Sequence, residues 1–334
     1  MKKVTLSDIS KKTGYSINTV SHALRGKKDI SEKTIKYITS VAEEMGYIAD
    51  LSAGALRLGR TKTAAVIVGD ISNPHFSIML KEMEAQLRES GYTTVIFNTD
   101  ENEELERNAI ITAIGKKVDG IILCPVGKTA GNIELLKSKD IPFVLFGRRF
   151  EGESASYVIC DDFQSGFEAA NHLIQLGHKK LLFINAPEYI SSARERKSGI
   201  LSALKKHGLS EKILRTETVD IPEESNIESI LSKLGGETGI ICFSDIIAMR
   251  VCYLLRHMNL SVPDDISVIG FDNIMSKFYF PLGLTSVTAS KTKMSVKAVE
   301  ILLKIIGSGT NEHEQIILPT KIIERESTAR AAFY

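Results

Sequence analysis

Two groups of polar side chains stand out in the sequence, and the first lies close to the N-terminus. The outer side of a short segment that begins at Ser16 carries Asn18, Thr19, Ser21 and His22. An Asn amide can bond to an adenine edge, and a His ring can donate to guanine N7 or O6. Hydroxyl groups and a helix N-terminus suit phosphate oxygens. This chemistry indicates contact with a nucleic acid, and a merely polar helical surface is the alternative.

The second group lies where short apolar runs end. The polar and aromatic side chains that follow these runs are Asn73, His75, Phe76, Arg194, Arg196, Ser244, Asp245, Asp272 and Asn273. Arg, Asp and Asn side chains can bridge two vicinal hydroxyls, and an aromatic ring can stack on the C–H face of a sugar. Because ligands of open α/β sheets bind at the carboxyl ends of the strands, this convergence predicts a small-molecule site. Each residue taken singly is also compatible with a helix cap or a solvated charge.

Other chemistries find little support in the sequence. It contains no G-x-x-x-x-G-K-[ST] loop, no G-x-G-x-x-G that opens a helix after a strand and no G-x-S-x-G elbow. The 7 histidines and 4 cysteines show no metal-ligand spacing, so we expect reduced thiols. His172 and His178 are predicted to be surface or capping residues. We expect no cofactor, no bound metal and no enzymatic activity.

The charge distribution is uneven. The 334 residues carry 42 Lys and Arg against 41 Asp and Glu, yet the first sixty hold 11 basic and 6 acidic side chains. A basic head on a mildly acidic body is typical of a module that meets a polyanion, and a solvated lysine-rich surface is the alternative. The length favours two or three domains. No apolar run approaches the roughly 20 residues of a membrane helix, and no signal peptide is visible, so a cytoplasmic protein is expected.

Helical periodicity positions the first group. A helix that begins at Leu6 is expected to end at Gly14, where a positive φ turns the chain. A second helix is expected over 17–25, with Ser16 as its N-cap, and a third over 31–46. Short helix, tight turn, polar-faced helix and longer helix is the helix-turn-helix arrangement.

The rest of the chain alternates between strands and helices. We expect strands near 64–68, 94–97, 120–124, 143–146, 157–160, 181–185, 214–219, 239–243 and 266–271. We expect helices near 75–90, 102–115, 131–138, 163–176, 192–207, 225–234, 245–258 and 291–306. Such alternation predicts parallel sheets with helices on both faces, and two sets of this size predict two similar subdomains.

The head resembles the DNA-binding head of the lactose-repressor/galactose-repressor (LacI/GalR) family of bacterial regulators. The resemblance is carried by V-T-L-S-D-I-S-K-K-T-G-Y-S-I-N-T-V-S-H-A-L-R-G, I-S-E-K-T, E-E-M-G-Y and A-L-R-L-G-R-T. It implies that the second helix enters the major groove with Ile17, Asn18 and His22 as base readers. The full set of DNA contacts that it implies is Thr5, Leu6, Ser16, Ile17, Asn18, Thr19, Ser21, His22, Ala53 and Leu56.

The resemblance also implies a hinge helix over 50–57 that folds when two copies meet on DNA. Leu56 matches the family's leucine that wedges into the minor groove, with Ala53 as its companion. Gly54 stands where the family commonly has Arg or Gln, and Asp50 where Asn is frequent. Because Gly costs a helix roughly 1 kcal/mol relative to Ala, we expect the order of this hinge to depend strongly on dimerisation.

The body resembles the same family's effector domain, which is similar to periplasmic sugar-binding proteins. The matching motifs are D-I-S-N-P-H-F, N-T-D-E-N, V-D-G-I-I-L, S-A-R-E-R-K-S-G, S-D-I-I-A-M, V-I-G-F-D-N, T-S-V and L-P-T. The resemblance implies that Arg196 and Asp272 grip ligand hydroxyls, with Asn73, Phe76 and Asp245 nearby.

Three departures from the family pattern bear on the ligand. Gly147 stands where Asp is common, Ser244 replaces a frequent Asn, and Asp162 replaces an Asn. The missing groups would otherwise anchor hydroxyls, so a standard hexose is in doubt. Arg148 near the cleft favours an acidic or phosphorylated ligand as an alternative. The predicted effector contacts are Asn73, His75, Phe76, Arg148, Arg196, Ser244, Asp245 and Asp272.

Together these features predict an all-α helix-turn-helix head and an α/β, type I periplasmic-binding-protein-like effector domain of two doubly wound subdomains. The expected divisions are a head at 1–49, a hinge helix and linker at 50–61, and an effector-binding and dimerisation domain at 62–334. Within the last of these, an N-subdomain is expected at about 62–160 and 290–320, and a C-subdomain at about 161–289 and 321–334.

The function predicted is that of a ligand-responsive transcriptional regulator, typically a repressor of carbohydrate-utilisation genes. It would bind a palindromic double-stranded operator as a homodimer. A dimer and not a tetramer is expected because the sequence lacks the leucine-rich heptad tail of tetrameric relatives. The expected effector is a sugar or sugar derivative. The alternatives are a regulator controlled by a phosphorylated protein partner and a solute-binding protein without a regulatory role.

Overall fold

The structure, a computed structural model, describes residues 4–27, 29–48, 59–219, 221, 224–277, 282–309 and 313–331. It separates into two compact units, Met1–Thr61 and Lys62–Tyr334. The hinge helix predicted over 50–57, with its residues Ala53 and Leu56, lies outside the described residues.

The described residues of the first unit form three helices, which are α1 (Leu6–Thr13), α2 (Ile17–Leu24) and α3 (Glu32–Glu44). Helix α1 ends at Gly14, whose φ of 75° lets the chain turn into α2. The side chains of Ser16 and Ser31 accept hydrogen bonds from backbone N–H groups in the first turns of α2 and α3. One side of each helix packs into a shared core of Ile9, Val20, Ala23, Ile38 and Ala42.

The second unit contains two lobes, each built on a six-stranded sheet. The sheet of the first lobe has the order β11-β5-β4-β3-β1-β2, and all its pairings are parallel. Its strands are β1 (Thr63–Val68), β2 (Thr93–Asn98), β3 (Gly120–Leu123), β4 (Phe143–Phe146), β5 (Tyr157–Cys160) and β11 (Gln315–Leu318). Its helices are α4 (Pro74–Glu89), α5 (Glu103–Gly115), α6 (Gly131–Ser138) and α11 (Lys291–Ser308). Apolar side chains on both faces of the sheet are buried, as parallel sheets require.

The sheet of the second lobe has the order β12-β10-β9-β8-β6-β7, in which only the β10–β12 pairing is antiparallel. Its strands are β6 (Leu181–Asn185), β7 (Leu214–Thr218), β8 (Gly239–Cys242), β9 (Ser267–Phe271), β10 (Thr285–Thr288) and β12 (Lys321–Ile323). Its helices are α7 (Asp162–Gln175), α8 (Ser191–Lys206), α9 (Ile227–Leu231) and α10 (Asp245–His257). The predicted fold class is confirmed. In the described part of the chain, no helix is long and apolar enough to cross a bilayer.

Three strands were not predicted, namely β10, β11 and β12. Strand β11 adds an edge to the first sheet and β12 an edge to the second, although only two residues separate them in the sequence. Both are short and mostly half-exposed, so neither shows the buried apolar run by which the other strands were predicted. The chain therefore passes between the lobes after β5, after β10 and after β11.

The prediction that His172 and His178 are surface or capping residues is wrong. Both are buried in the second lobe near its C-terminal segment. The ring of His172 bonds to the Thr328 hydroxyl, and the ring of His178 bonds to the Thr238 hydroxyl and to the Ala329 carbonyl. Burial lowers the pKa of both rings, so each acts as a neutral hydrogen-bonding group within the fold.

Helices α7 and α8 pack so closely at two glycines that their backbones are in contact. A Cβ atom at Gly199 would overlap the Phe163 carbonyl oxygen, and one at Gly166 would overlap the Arg196 carbonyl oxygen. This approach matters for the cleft described below, because α8 carries Arg196 and α7 begins at Asp162.

We therefore expect Gly199→Ala to lower the free energy of unfolding by about 1–3 kcal/mol, since backbone must move to admit the methyl group. The control is Gly115→Ala, because Gly115 is also helical and nothing lies within 4 Å of its added Cβ atom. This variant should be neutral or stabilised by about 0.5–1 kcal/mol. Denaturant unfolding measures both, and an equal effect of the two substitutions would contradict the close packing.

Candidate functional site

The outer side of α2 is exposed while its inner side is buried. Val20 lies in the core of the head, whereas Ile17 and Asn18 are exposed, Ile17 to 49%. Ser21 and His22 follow one turn later and are half-buried. Because residues three and four apart share a side of a helix, these four side chains form one surface. An exposed isoleucine beside Asn and His is suited to base edges and to a thymine methyl group.

Several of the predicted phosphate contacts also cap helices. Thr5 accepts a hydrogen bond from the Asp8 N–H at 3.3 Å, while its own N–H and hydroxyl donate to the Asp8 carboxylate. The Ser16 hydroxyl accepts from the Thr19 N–H at 3.1 Å and bonds to the Thr19 hydroxyl at 2.9 Å. Leu6 is half-buried against the core of the head. These residues therefore fix the helix starts whether or not they contact DNA.

A cleft of about 380 Å³ lies between the two lobes of the second unit. Seven of the eight predicted effector residues line it, which are Asn73, His75, Phe76, Arg148, Arg196, Ser244 and Asp272. The eighth, Asp245, is fully buried behind it. Arg194, the other arginine considered for the cleft, instead bonds to Glu151 and to the Glu188 carbonyl.

Arg196 is buried and paired at the wall of the cleft. Its Nε donates to Asp162 Oδ1 at 2.8 Å, and its guanidinium carbon lies 4.3 Å from the centre of the Phe271 ring and 4.8 Å from that of Phe243. Burial acts to lower the pKa of Arg196, but the charges of Asp162 and Asp272 raise it overall. Within the described residues Nη2 has no hydrogen-bond partner, so this atom is available to a ligand oxygen.

Asp272 stands on a loop that several groups hold in place. Its φ is 95° and that of Asn273 is 49°, both in the left-handed region. The Lys291 ammonium donates to the Asp272 carbonyl, and Arg325 donates to the Asn273 side chain at 2.6 Å. The Asn273 N–H donates to the Ser286 hydroxyl at 2.9 Å. The loop therefore holds the Asp272 carboxylate at the cleft at the expense of backbone strain.

Asp245 supports this loop from behind. The Ser286 hydroxyl donates to its Oδ1 at 2.7 Å, and the Ile274 N–H donates to its Oδ2 at 2.9 Å. Burial, together with the charge of Asp272, raises the pKa of Asp245 to about 8. The sequence alone placed Asp245 at the ligand, whereas the structure shows contacts to the loop that presents Asp272.

Arg148 lines the cleft, but its charge is already matched. It donates two hydrogen bonds to the Glu101 carboxylate, at 2.6 and 2.9 Å, and both side chains are largely buried. The carboxylate fits because a Cβ at Gly69 would overlap Glu101 Oε1. This pairing weighs against the prediction that Arg148 recruits an acidic or phosphorylated ligand.

His75 and Asp272 face one another across the cleft. The Nδ1 atom of His75, on α4 of the first lobe, lies 3.4 Å from Asp272 Oδ1 in the second lobe. Burial lowers the pKa of His75 to about 4, so the ring is neutral at physiological pH. Asn73 caps α4 by accepting from the His75 N–H, and the Phe76 ring lies edge-on to the imidazole. These contacts fix the ring at the cleft.

The residues that line the cleft without having been predicted include Glu101, Glu224, Phe243, Phe271 and Lys291. A strand-end signal existed for Phe243 and Phe271, which complete or directly follow apolar runs. None existed for Lys291 and Glu224, because a charged residue in a loop or at a helix start is ordinarily solvated.

The pairing of charges leaves the cleft without excess positive charge. Arg148 and Arg196 are matched by Glu101 and Asp162, and Lys291 donates to backbone carbonyls of the Asp272 loop. Asp70, Glu224 and Asp272 add further carboxylates to the lining. The carboxylates of Asp70, Glu101, Glu224 and Asp272 outnumber the described cations of the lining, Arg148, Arg196 and Lys291, so an anion would meet net negative charge.

A helix-turn-helix head and two doubly wound lobes around a polar cleft define a ligand-binding transcriptional regulator. Residues 5–50 match the family described as bacterial regulatory proteins, lacI family, and residues 170–328 match a periplasmic binding protein-like domain. The chain is 30% identical over 316 residues to the HTH-type transcriptional repressor PurR of Actinobacillus pleuropneumoniae serotype 3, covering 93% of each chain. The chain therefore belongs to the LacI family of bacterial regulators.

Other relatives extend the comparison. The HTH-type transcriptional regulator DegA of Bacillus subtilis is 29% identical, with 98% of each chain covered. A LacI family regulator from Enterococcus faecium, solved with bound ribose, is 26% identical with a TM-score of 0.72, covering 81% of this chain and all of that one. The lac repressor dimer bound to operator and the anti-inducer ONPF has a TM-score of 0.84 at 20% identity, covering 98% of this chain and all of that one.

The raised pKa of Asp245 predicts a specific pH dependence of stability. An unfolded Asp loses its proton near pH 4, whereas folded Asp245 keeps it to about pH 8, so this group destabilises the fold increasingly as pH rises through that window. Asp245→Asn removes the effect and keeps groups that can bond to Ile274 and Ser286. We expect the free energy of unfolding of the variant, relative to the original chain, to increase between pH 5 and 8. Contributions of other groups, including His75, are common to both chains and cancel. A difference in the free energy of unfolding between the two chains that stays constant with pH would contradict the assignment.

Proposed function

We propose that this chain is a homodimeric repressor that binds a near-palindromic operator and releases or binds it in response to an uncharged, sugar-like effector in the cleft. Membership of the LacI family supports DNA-dependent regulation, and two-fold symmetry of a dimer explains a palindromic site. The proposal assigns binding and not catalysis to the cleft, and it places the protein in the cytoplasm with the DNA that it regulates.

An uncharged effector is proposed because the arginines at the cleft already pair with carboxylates of the protein. Because Arg148 and Arg196 each pair with a carboxylate of their own lobe and Lys291 donates to backbone carbonyls, a phosphate would find no cation without other contacts among the described lining residues. Hydroxyl groups, in contrast, can donate to Asp272 and accept from Arg196 Nη2, while the rings of Phe76, Phe243 and Phe271 offer apolar surface. The ribose bound to the Enterococcus faecium regulator is a ligand of this chemistry and supports the same class here.

The head supplies sequence recognition in this proposal. Ile17, Asn18 and His22 contact base edges in the major groove, the surrounding hydroxyls and helix N-termini contact phosphates, and Leu56 with Ala53 contacts the minor groove. Effector binding changes the angle between the lobes and hence the spacing of the two hinge segments in the dimer. Operator affinity follows, because paired hinge segments are part of the DNA contact.

Ligand response should depend on Asp272. We expect Asp272→Asn to weaken binding of a neutral sugar by about ten- to a hundredfold, since a hydrogen bond to a charged group is worth roughly 1.5–3 kcal/mol. Operator binding without sugar should be unchanged. Asn is chosen because it tolerates the left-handed backbone of this position.

The measurement is a thermal-shift and calorimetric titration with ribose, glucose and cellobiose, and with ribose 5-phosphate and glucose 6-phosphate. Asp264→Asn is the matched control, because it removes the same charge from an exposed position outside the cleft lining. A preference for the phosphates would refute the uncharged effector. If no sugar binds while a phosphorylated protein partner alters operator affinity, the alternative regulator is correct.

A further inference from the structure

Helix α2 ends in a turn that returns the chain to the side of His22. Gly26, with a φ of 63°, donates its N–H to the Ala23 carbonyl, and the Lys27 N–H donates to the His22 carbonyl at 3.1 Å. Ile30 then packs against the core of the head. The turn is thus held at both ends, and Asp29 is placed next to the imidazole.

His22 and Asp29 form a direct hydrogen bond. The Nδ1 atom of His22 lies 2.7 Å from Asp29 Oδ2, and both side chains remain partly exposed, to 33% and 56%. Asp29 is not part of the expected set of DNA contacts, and no sequence pattern links the two residues, which are seven positions apart. Within the described residues the second ring nitrogen, Nε2, has no partner.

The bond decides which nitrogen carries the hydrogen. The hydrogen bond from His22 lowers the pKa of Asp29, so the carboxylate is ionised and acts only as an acceptor. The hydrogen must then lie on Nδ1. In a neutral ring with this tautomer, Nε2 has a lone pair and can only accept a hydrogen bond.

We propose that Asp29 is a positioning residue that fixes the orientation and tautomer of His22, so that the neutral ring offers Nε2 as an acceptor to the exocyclic amine of adenine or cytosine. In the major groove these amines are the donors, whereas guanine and thymine present acceptors at the corresponding edge. The inference rests on the proposed role of His22 as a base reader. For the neutral ring, it replaces the expected donation to guanine with acceptance from adenine or cytosine.

The first test observes the tautomer in the full-length protein without DNA. With ¹⁵N-labelled histidine at pH 8, long-range proton–nitrogen correlations distinguish a hydrogen on Nδ1 from one on Nε2, and His22→Ala identifies the signal. We expect the hydrogen on Nδ1 in the original chain. In Asp29→Ala it should shift toward Nε2, the tautomer that free histidine prefers. A hydrogen on Nε2 in the original chain would overturn the proposal.

The second test measures base preference. An operator is selected from a randomised duplex pool, and affinities for all its single-base variants are measured at pH 8. We expect one position in each half-site to prefer adenine or cytosine through His22, and Asp29→Ala, which removes the acceptor of the Nδ1 hydrogen, to reduce that preference by about three- to tenfold, the worth of one net hydrogen bond. Glu43→Gln is the matched control, because it removes one exposed negative charge from α3 and should leave the base profile unchanged.

The variants distinguish a failure of the base-reading role of His22 from a failure of the positioning role of Asp29. The Asp29→Ala substitution should have no further effect on base preference in a His22→Ala background, whereas a purely structural or long-range charge effect would persist there. If the His22→Ala profile equals that of the original chain, the reading role of His22 fails and the proposal fails with it. If His22→Ala alters one position but Asp29→Ala alters none, or if guanine is preferred at that position at pH 8, the proposal alone is overturned.

Discussion

A buried guanidinium requires a carboxylate at hydrogen-bond distance, and each lobe meets this requirement from its own residues. Arg148 pairs with Glu101 in the first lobe, and Arg196 pairs with Asp162 in the second. The buried charges of Arg148 and Arg196 are therefore compensated within their own lobes, whereas the buried Lys291 of the first lobe donates to the Asp272 carbonyl of the second. The described atoms left to recognise an effector that brings hydroxyl groups are few, chiefly the Asp272 carboxylate and Arg196 Nη2.

The loop that carries Asp272 connects ligand recognition to the rest of the second unit. Lys291 donates to its backbone, yet Lys291 is the first residue of α11, whose apolar side packs on the sheet of the first lobe. Asp245 at the start of α10 and Ser286 in β10 hold the same loop. A ligand that contacts Asp272 thus acts on elements of both lobes, and His75 of the first lobe lies within 3.4 Å of the same carboxylate. This geometry suits a change of lobe angle as the signal to DNA.

The sequence predicted the two sheets, their helices and most of the cleft, because buried parallel strands and the polar residues after them carry clear periodic and positional signals. It missed β11 and β12, whose short, half-exposed runs show no such pattern. It also assigned Asp245 to the ligand and Arg148 to an anion. Neither interpretation took account of the partners Ile274, Ser286 and Glu101, because these are distant in sequence and become neighbours only in the fold. The bond between His22 and Asp29 was hidden for the same reason.

In the proposed mechanism, occupation of the cleft changes the free energy of operator binding, and operator binding changes the free energy of effector binding by the same amount. The most direct test measures operator affinity with and without the sugar that gives the largest thermal shift, and separately measures affinity for that sugar with and without operator. By linkage the two titrations must change by the same factor, and we expect that factor to be about fivefold or more. A sugar that binds the cleft with unchanged affinity in both states, leaving operator affinity unaltered, would contradict the account.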